Sequence, residues 1–188
     1  RDLADRGIAP VYTMSYGPPL ATIELFADQL RAKIADIRAA TGAEEVVIVT
    51  HSMGGLVARA YLRRYGGAHV RRLVTLGAPH QGSRHAWMMF GTALAQMRPG
   101  SAFLAGLNAD PQRAAGVPVV SLWSWHDSMV TPQTSSRLPW AENIVIAGVA
   151  HNALLNDRGV WNLVAEEIRK AQAQNPQSVD APRASTVR

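Results

Sequence analysis

A serine hydroxyl becomes a useful nucleophile only when its backbone presents it and a base takes its proton. One segment is built for that: Val46-Val47-Ile48-Val49-Thr50-His51-Ser52-Met53-Gly54-Gly55-Leu56-Val57-Ala58 is an apolar strand running directly into a helix through Ser52. Such a sharp strand-to-helix turn lifts the hydroxyl clear of the sheet edge and needs small neighbours two positions to either side. Gly54 meets that need, whereas Thr50 stands where the other glycine is usual. The N–H of Met53, at the start of the helix, is expected to bind a developing oxyanion. Serine also caps helices in an ordinary way, but a cap requires neither Gly54-Gly55 nor a five-residue apolar strand in front of it.

The base and the group that orients it are found by elimination. Strand C-termini of a parallel sheet share one rim, so the partners of Ser52 should follow later strands directly. Asp127 does so, heading the polar turn DSMVTP after PVVSLWSW; Asp110 precedes that strand, Glu142 precedes the next one, and Asp157 reads as a helix cap. Of six histidines, His51 lies beside the serine and is poorly placed to accept its proton, His69 precedes a strand, His85 opens a helical stretch and His126 shares the Asp127 turn. His80 and His151 both follow strands. His151 sits in a small-residue loop, GVAHN, and completes the order Ser, Asp, His.

The elements that must position these groups alternate, strand then helix, as in a parallel sheet with helices on both faces, an α/β fold. Runs rich in β-branched residues predict strands at 11–16, 45–50, 70–76, 117–123 and 143–147. Ile23, Phe26, Leu30, Ile34 and Ile37 recur at helical spacing ahead of Thr41-Gly42, and further helices are expected at 53–65 and 157–173. Residues 84–116 form a helical insert rich in Met88, Met89, Phe90, Leu94, Met97, Phe103, Leu104 and Leu107, interrupted by Pro99-Gly100. That is long for a simple crossover and is expected to act as a lid or acyl-chain wall, or simply to pack on the sheet. One domain over 1–175 and a disordered tail over 176–188 complete the expected layout.

Composition narrows the classes. With 188 residues, 47% of them hydrophobic, the chain can bury one sizeable core. Having no cysteine, it has no disulfide scaffold, thiolate metal site or cysteine nucleophile. A net charge of +5 comes almost wholly from arginine, yet the arginines are scattered without a basic stripe or interleaved aromatics, which argues against nucleic acid as a partner. No cofactor or metal is expected, since no histidine or carboxylate cluster has ligand spacing.

Taken together, the residues resemble bacterial lipases and esterases of the α/β-hydrolase fold, especially small lipases whose elbow continues HSMGG. The resemblance covers about residues 1–170 and rests on Thr50 to Gly55, Val57-Ala58-Arg59, Leu76-Gly77-Ala78-Pro79-His80-Gln81-Gly82-Ser83, Asp127 with Val130 and Pro132, and Gly148 to His151 with Leu154-Leu155. It implies ester hydrolysis through an acyl-enzyme, with Ser52 attacking, His151 carrying the proton, Asp127 holding the imidazole and Met53 N–H in the oxyanion hole. His51, His80, Met88, Met89 and Phe90 are candidate substrate contacts, and His80 is not the base. The substrate expected is a small-molecule or lipid ester, with contact to a lipid interface; an acyltransferase, a thioesterase or a non-catalytic lipid-binding remnant could carry the same residues. Compartment and oligomeric state stay open. Members of this group begin with a strand and a His-Gly loop that supply a second oxyanion donor. Residues 1–9 instead resemble the end of the following helix, so the sheet is expected to be N-terminally incomplete, with a gap or a displaced strand beside 45–50 and weaker turnover.

Overall fold

The computed structural model describes residues 3–17, 20–109 and 116–174. Four parallel strands lie in sequence order, β1 (Val46–His51), β2 (Val70–Leu76), β3 (Val119–Ser124) and β4 (Glu142–Ile146). β2 and β3 are buried on both faces, as an inner parallel strand must be, which is why VRRLVTL and VVSLWS show no clean polar alternation. The four strands expected beyond residue 40 fall within about two residues of their observed bounds.

Helix α1 (Ile23–Thr41) starts where Thr22 accepts a hydrogen bond from Leu25 N–H and stops at the left-handed Gly42. With α2 (Gly54–Tyr65) it covers one face of the sheet, burying Ile23, Phe26, Leu30 and Ile34 against Leu56, Tyr61 and Leu62. The opposite face carries α5 (Arg158–Ala173), capped by Asp157, whose Val160, Val164 and Ile168 meet Val74, Leu76, Val120 and Leu122. The insert holds two short helices, α3 (Thr92–Gln96) and α4 (Ala102–Ala109), whose Leu94, Met97, Leu104 and Leu107 join the first core. Part of that insert, 110–115, and the tail expected at 176–188 lie outside the described residues.

The strand expected at 11–16 is not one. That segment is irregular and largely exposed, Val11 and Tyr12 being 42% and 45% accessible. Among the described residues no strand lies on the outer side of β1, so β-branched content there has no ladder to join. Only Met14 and Tyr16 turn inward, Tyr16 stacking on Phe26 at 5.2 Å.

One ion pair is sealed between β2 and α5. Arg72 and Glu167 are 5% and 1% exposed, and Lys170 Nζ also reaches Glu167 at 2.7 Å. Breaking such a pair from one side strands a charge in the interior, whereas removing both charges need not destabilise. Glu167→Leu should therefore cost about 3–5 kcal/mol in urea unfolding. Arg72→Met/Glu167→Leu should recover most of that loss; a double variant as unstable as the single one would contradict this.

Candidate active site

The elbow is formed by Ser52, the one non-glycine among the described residues with positive φ, at 53°. Holding serine there costs on the order of 1–3 kcal/mol, offset by the hydrogen bonds around it. Ser52 N–H donates to Leu76 O at 2.9 Å, and Ser52 O accepts from Gly55 N–H at 3.1 Å. Close packing explains the two glycines: a Cβ on Gly55 would lie 2.4 Å from that of Ala78, and one on Gly54 would lie 3.3 Å from that of Thr50. The threonine that replaces the usual glycine thus occupies room left by Gly54. Met53 N–H makes no hydrogen bond among the described residues and stands at the start of α2.

Asp127 and His151 meet across the rim. Asp127 Oδ2 accepts from His151 Nδ1 at 2.7 Å, while Oδ1 accepts from Met129 and Val130 N–H, both at 2.8 Å. Both side chains are nearly enclosed, Asp127 1% and His151 4% exposed. Burial alone would raise the Asp127 carboxyl, but the hydrogen bond and charge of His151 and the two backbone donors outweigh it and hold the group below its usual value. An ionised carboxylate only accepts, so His151 Nδ1 carries hydrogen and Nε2 of the neutral ring is left to accept.

The end of β2 lies against this pair. His51 pairs with Leu76, Ser52 and Gly77 are the next residue on each strand, and a Cβ on Gly77 would fall 2.9 Å from Asp127 Oδ2 and 3.2 Å from His151 Nδ1. Gly77 also has φ +54°, so both space and backbone call for glycine. No hydrogen bond joins Ser52 Oγ to His151. Two ties hold the loops: His126 Nδ1 accepts from Gly148 N–H at 3.1 Å, and Gln133 Nε2 donates to Asp127 O at 3.1 Å. Gly77 belongs to the Leu76–Ser83 segment that carries the sequence resemblance, but the space it leaves for the pair and these two ties are tertiary facts that the sequence does not signal.

The candidate substrate contacts divide. His80 has no accessible surface: its Nε2 pairs with Thr75 Oγ1 at 3.1 Å beneath α2, so it cannot touch a substrate, and that expectation is corrected. His51 turns to the backbone of His151, with Nε2 3.0 Å from its carbonyl. Met88 and Phe90 are 71% and 93% exposed, with Trp87 beside them, whereas Met89 is half-buried against the core. The start of this exposed turn is stitched to the Asp127 loop, Ser83 Oγ donating to Met129 O at 2.7 Å and Arg84 N–H to Thr131 O at 2.9 Å. Farther along, the buried Arg59 donates to Leu107 O at 3.1 Å and to Asn108 Oδ1 at 2.8 Å, tying down the end of α4. Burial lowers its guanidinium to about 10, so it remains a cation at neutral pH.

Comparison with known proteins places these features. Residues 15–108 match the family described as the alpha/beta hydrolase fold. A triacylglycerol lipase of Pseudarthrobacter phenanthrenivorans is 41% identical over 59 residues, which is 31% of this chain and 18% of that protein. One of Burkholderia plantarii is 41% identical over 59 residues, 16% of its length, so the matched stretch spans under a fifth of either relative. Among solved structures, mature Bacillus licheniformis lipase BlEst2 superposes with a TM-score of 0.69 at 20% identity, covering 80% of this chain and 76% of that one.

His80 makes stability depend on pH. Its imidazole is held well below the ordinary 6.5 by burial and by the Arg59 charge, so the folded chain resists a proton that the unfolded chain accepts. Stability is therefore highest above 6.5 and falls as pH drops below it, by up to about 1.4 kcal/mol per unit from this group. Urea midpoints measured from pH 7.5 down to about 5.5 should show a shallower decline for His80→Gln. Parallel curves for the two proteins would contradict the assignment.

Proposed function

Since the chain belongs to the α/β-hydrolase fold family, we propose that it is a serine carboxylic-ester hydrolase of the lipase and esterase type. Ser52 is its nucleophile, His151 its general base and Asp127 the group that holds the base. The reading rests above all on the 2.7 Å hydrogen bond from His151 Nδ1 to the buried Asp127, set on the rim where Ser52 is lifted by its backbone.

In this mechanism Ser52 Oγ attacks the ester carbonyl carbon and its proton passes to His151 Nε2. The carbonyl π electrons move to oxygen, and the resulting oxyanion is met by Met53 N–H. Collapse of the tetrahedral intermediate breaks the bond to the alkoxy group, which leaves as the alcohol with the proton from His151. Water then repeats the sequence on the acyl-enzyme and releases the acid. Asp127 stays ionised throughout and stabilises the imidazolium as it forms.

The surroundings support one class of substrate. The turn carrying Trp87, Met88 and Phe90 presents apolar side chains close in sequence to Ser83 and Arg84, which are bonded to the Asp127 loop. An uncharged ester with an aliphatic acyl chain, drawn from a small molecule or a lipid surface, fits an apolar turn of this kind.

A fluorophosphonate probe and p-nitrophenyl esters test the assignment together. The wild-type chain should label and hydrolyse p-nitrophenyl butyrate. Ser52→Ala should abolish labelling, and Asp127→Asn should lower kcat by about four orders of magnitude with the fold unchanged by circular dichroism. Folded wild-type protein that neither labels nor turns over would overturn the proposal. For the exposed turn, Met88→Ser/Phe90→Ser should reduce kcat/KM on the octanoate ester several-fold more than on the butyrate; equal losses would remove these residues from the acyl site.

A further inference from the structure

His51 is the residue next to the nucleophile, yet its side chain serves neither the serine nor open solvent. Thr50 points toward α2, where it meets Gly54, so by strand alternation His51 faces the other side of the sheet, where the His151 loop passes. There its Nε2 lies 3.0 Å from the backbone oxygen of His151, and the two imidazole rings sit with centroids 4.6 Å apart, tilted by 46°.

We infer that His51 is a positioning residue for the reaction assigned to Ser52, Asp127 and His151: it donates Nε2–H to the His151 carbonyl and packs against the imidazole, fixing the loop that carries the base. The inference rests on the ester-hydrolase reading and adds a residue to it. A carbonyl oxygen only accepts, so His51 must carry hydrogen on Nε2. Asp127 restrains the His151 ring through Nδ1; His51 restrains the residue at its backbone carbonyl, and the two restraints together define both where the ring starts and where its Nε2 points. Ala150 O, accepting from Leu154 N–H at 3.1 Å, closes the turn that follows. Misplacing a reacting group by about 1 Å can cost a hundredfold in rate, so a second anchor on a small-residue loop has a direct kinetic consequence.

The charge state of His51 fits this role. The ionisable groups that act on it are His151 and Asp127. Burial lowers its imidazole, and the charge of His151 lowers it further, against the hydrogen bond to the His151 carbonyl and the Asp127 charge, which raise it. The net direction is below the ordinary 6.5, so His51 donates as a neutral ring at neutral pH. A neutral neighbour does not oppose the positive charge that His151 acquires when it takes the serine proton. Below pH 6.5, protonation of His51 places a second cation beside that ring and should depress turnover.

Substitutions at position 51 separate donation, packing and charge. Glutamine can place an amide N–H near the position of Nε2 without a titrating group; phenylalanine keeps a ring without a donor; asparagine is too short to reach. With p-nitrophenyl butyrate, His51→Phe and His51→Asn should lower kcat by about tenfold, as expected for one lost hydrogen bond of about 1.4 kcal/mol, with KM changed less than about twofold. His51→Gln should stay within about threefold of wild type and should lose the steeper part of the acid limb that protonation of His51 adds. Full activity in His51→Asn, or His51→Gln as impaired as His51→Asn, would overturn the inference, and the pair decides the matter even if His51→Phe fails to fold. Ser52→Ala measured alongside keeps the two levels apart. If that variant retains activity, the hydrolase reading itself falls; if it is inactive while His51→Asn is normal, only the role of His51 falls.

Discussion

The arrangement depends on a hydrogen bond that needs room. His151 and Asp127 can meet at 2.7 Å only because Gly77, the first residue past β2, has no side chain. A methyl group there would press on the carboxylate oxygen, on the imidazole nitrogen and, at 2.9 Å, on Leu154. The serine is anchored at the same strand end, since the β1–β2 register closes on His51 and Leu76 and Ser52 N–H donates to Leu76 O at 2.9 Å. One vacancy at the end of a strand therefore makes room for the buried Asp127–His151 pair beside the turn that carries the left-handed serine. The sheet is the ruler on which all three are measured.

Around that point, polar groups are held by backbone and apolar groups by packing. Asp127 is satisfied by two main-chain N–H groups, and its loop is tied through His126 to Gly148 and through Met129 to Ser83. A carboxylate 1% exposed is tolerable on those terms, because every hydrogen bond it receives favours the ionised form. The insert shows the opposite balance. Its helices α3 and α4 are cemented by Leu94, Met97, Leu104 and Leu107 and by the buried Arg59, while Trp87, Met88 and Phe90 stand out at 61%, 71% and 93% exposure. Exposed apolar side chains this close in sequence are more costly to keep in water than scattered ones, and the residues at their base, Ser83 and Arg84, bond to Met129 and Thr131 of the loop that follows Asp127.

Much of this was legible in the residues. VRRLVTL gives a strand whose bounds match because its valines and leucines are those of a strand buried on both faces, and HSMGG gives a turn because two glycines sit where side chains would collide. Asp127 and His151 could be selected because strand ends in a parallel sheet face one rim. What was not legible concerns neighbours. VYTMSY has strand composition, but pairing is decided by what lies alongside, and among the described residues nothing flanks β1 there. His80 follows a strand just as His151 does, and only the depth of the loop beneath α2 separates an enclosed histidine from one at the rim. The sequence sets His51 beside the serine; that it meets a carbonyl a hundred residues away is a tertiary fact.

The central claim is that Ser52, held just past the end of β1, reacts within reach of His151 and of Met53 N–H. A crystal structure of the chain after reaction with an alkyl phosphonate tests it most directly, because the tetrahedral phosphorus stands in for the acyl intermediate. Phosphorus bonded to Ser52 Oγ is expected, with the phosphoryl oxygen accepting from Met53 N–H and His151 Nε2 within about 3 Å of an oxygen on phosphorus while Nδ1 still donates to Asp127. An adduct on another residue, or a phosphoryl oxygen turned away from Met53 with His151 detached from Asp127, would contradict the account.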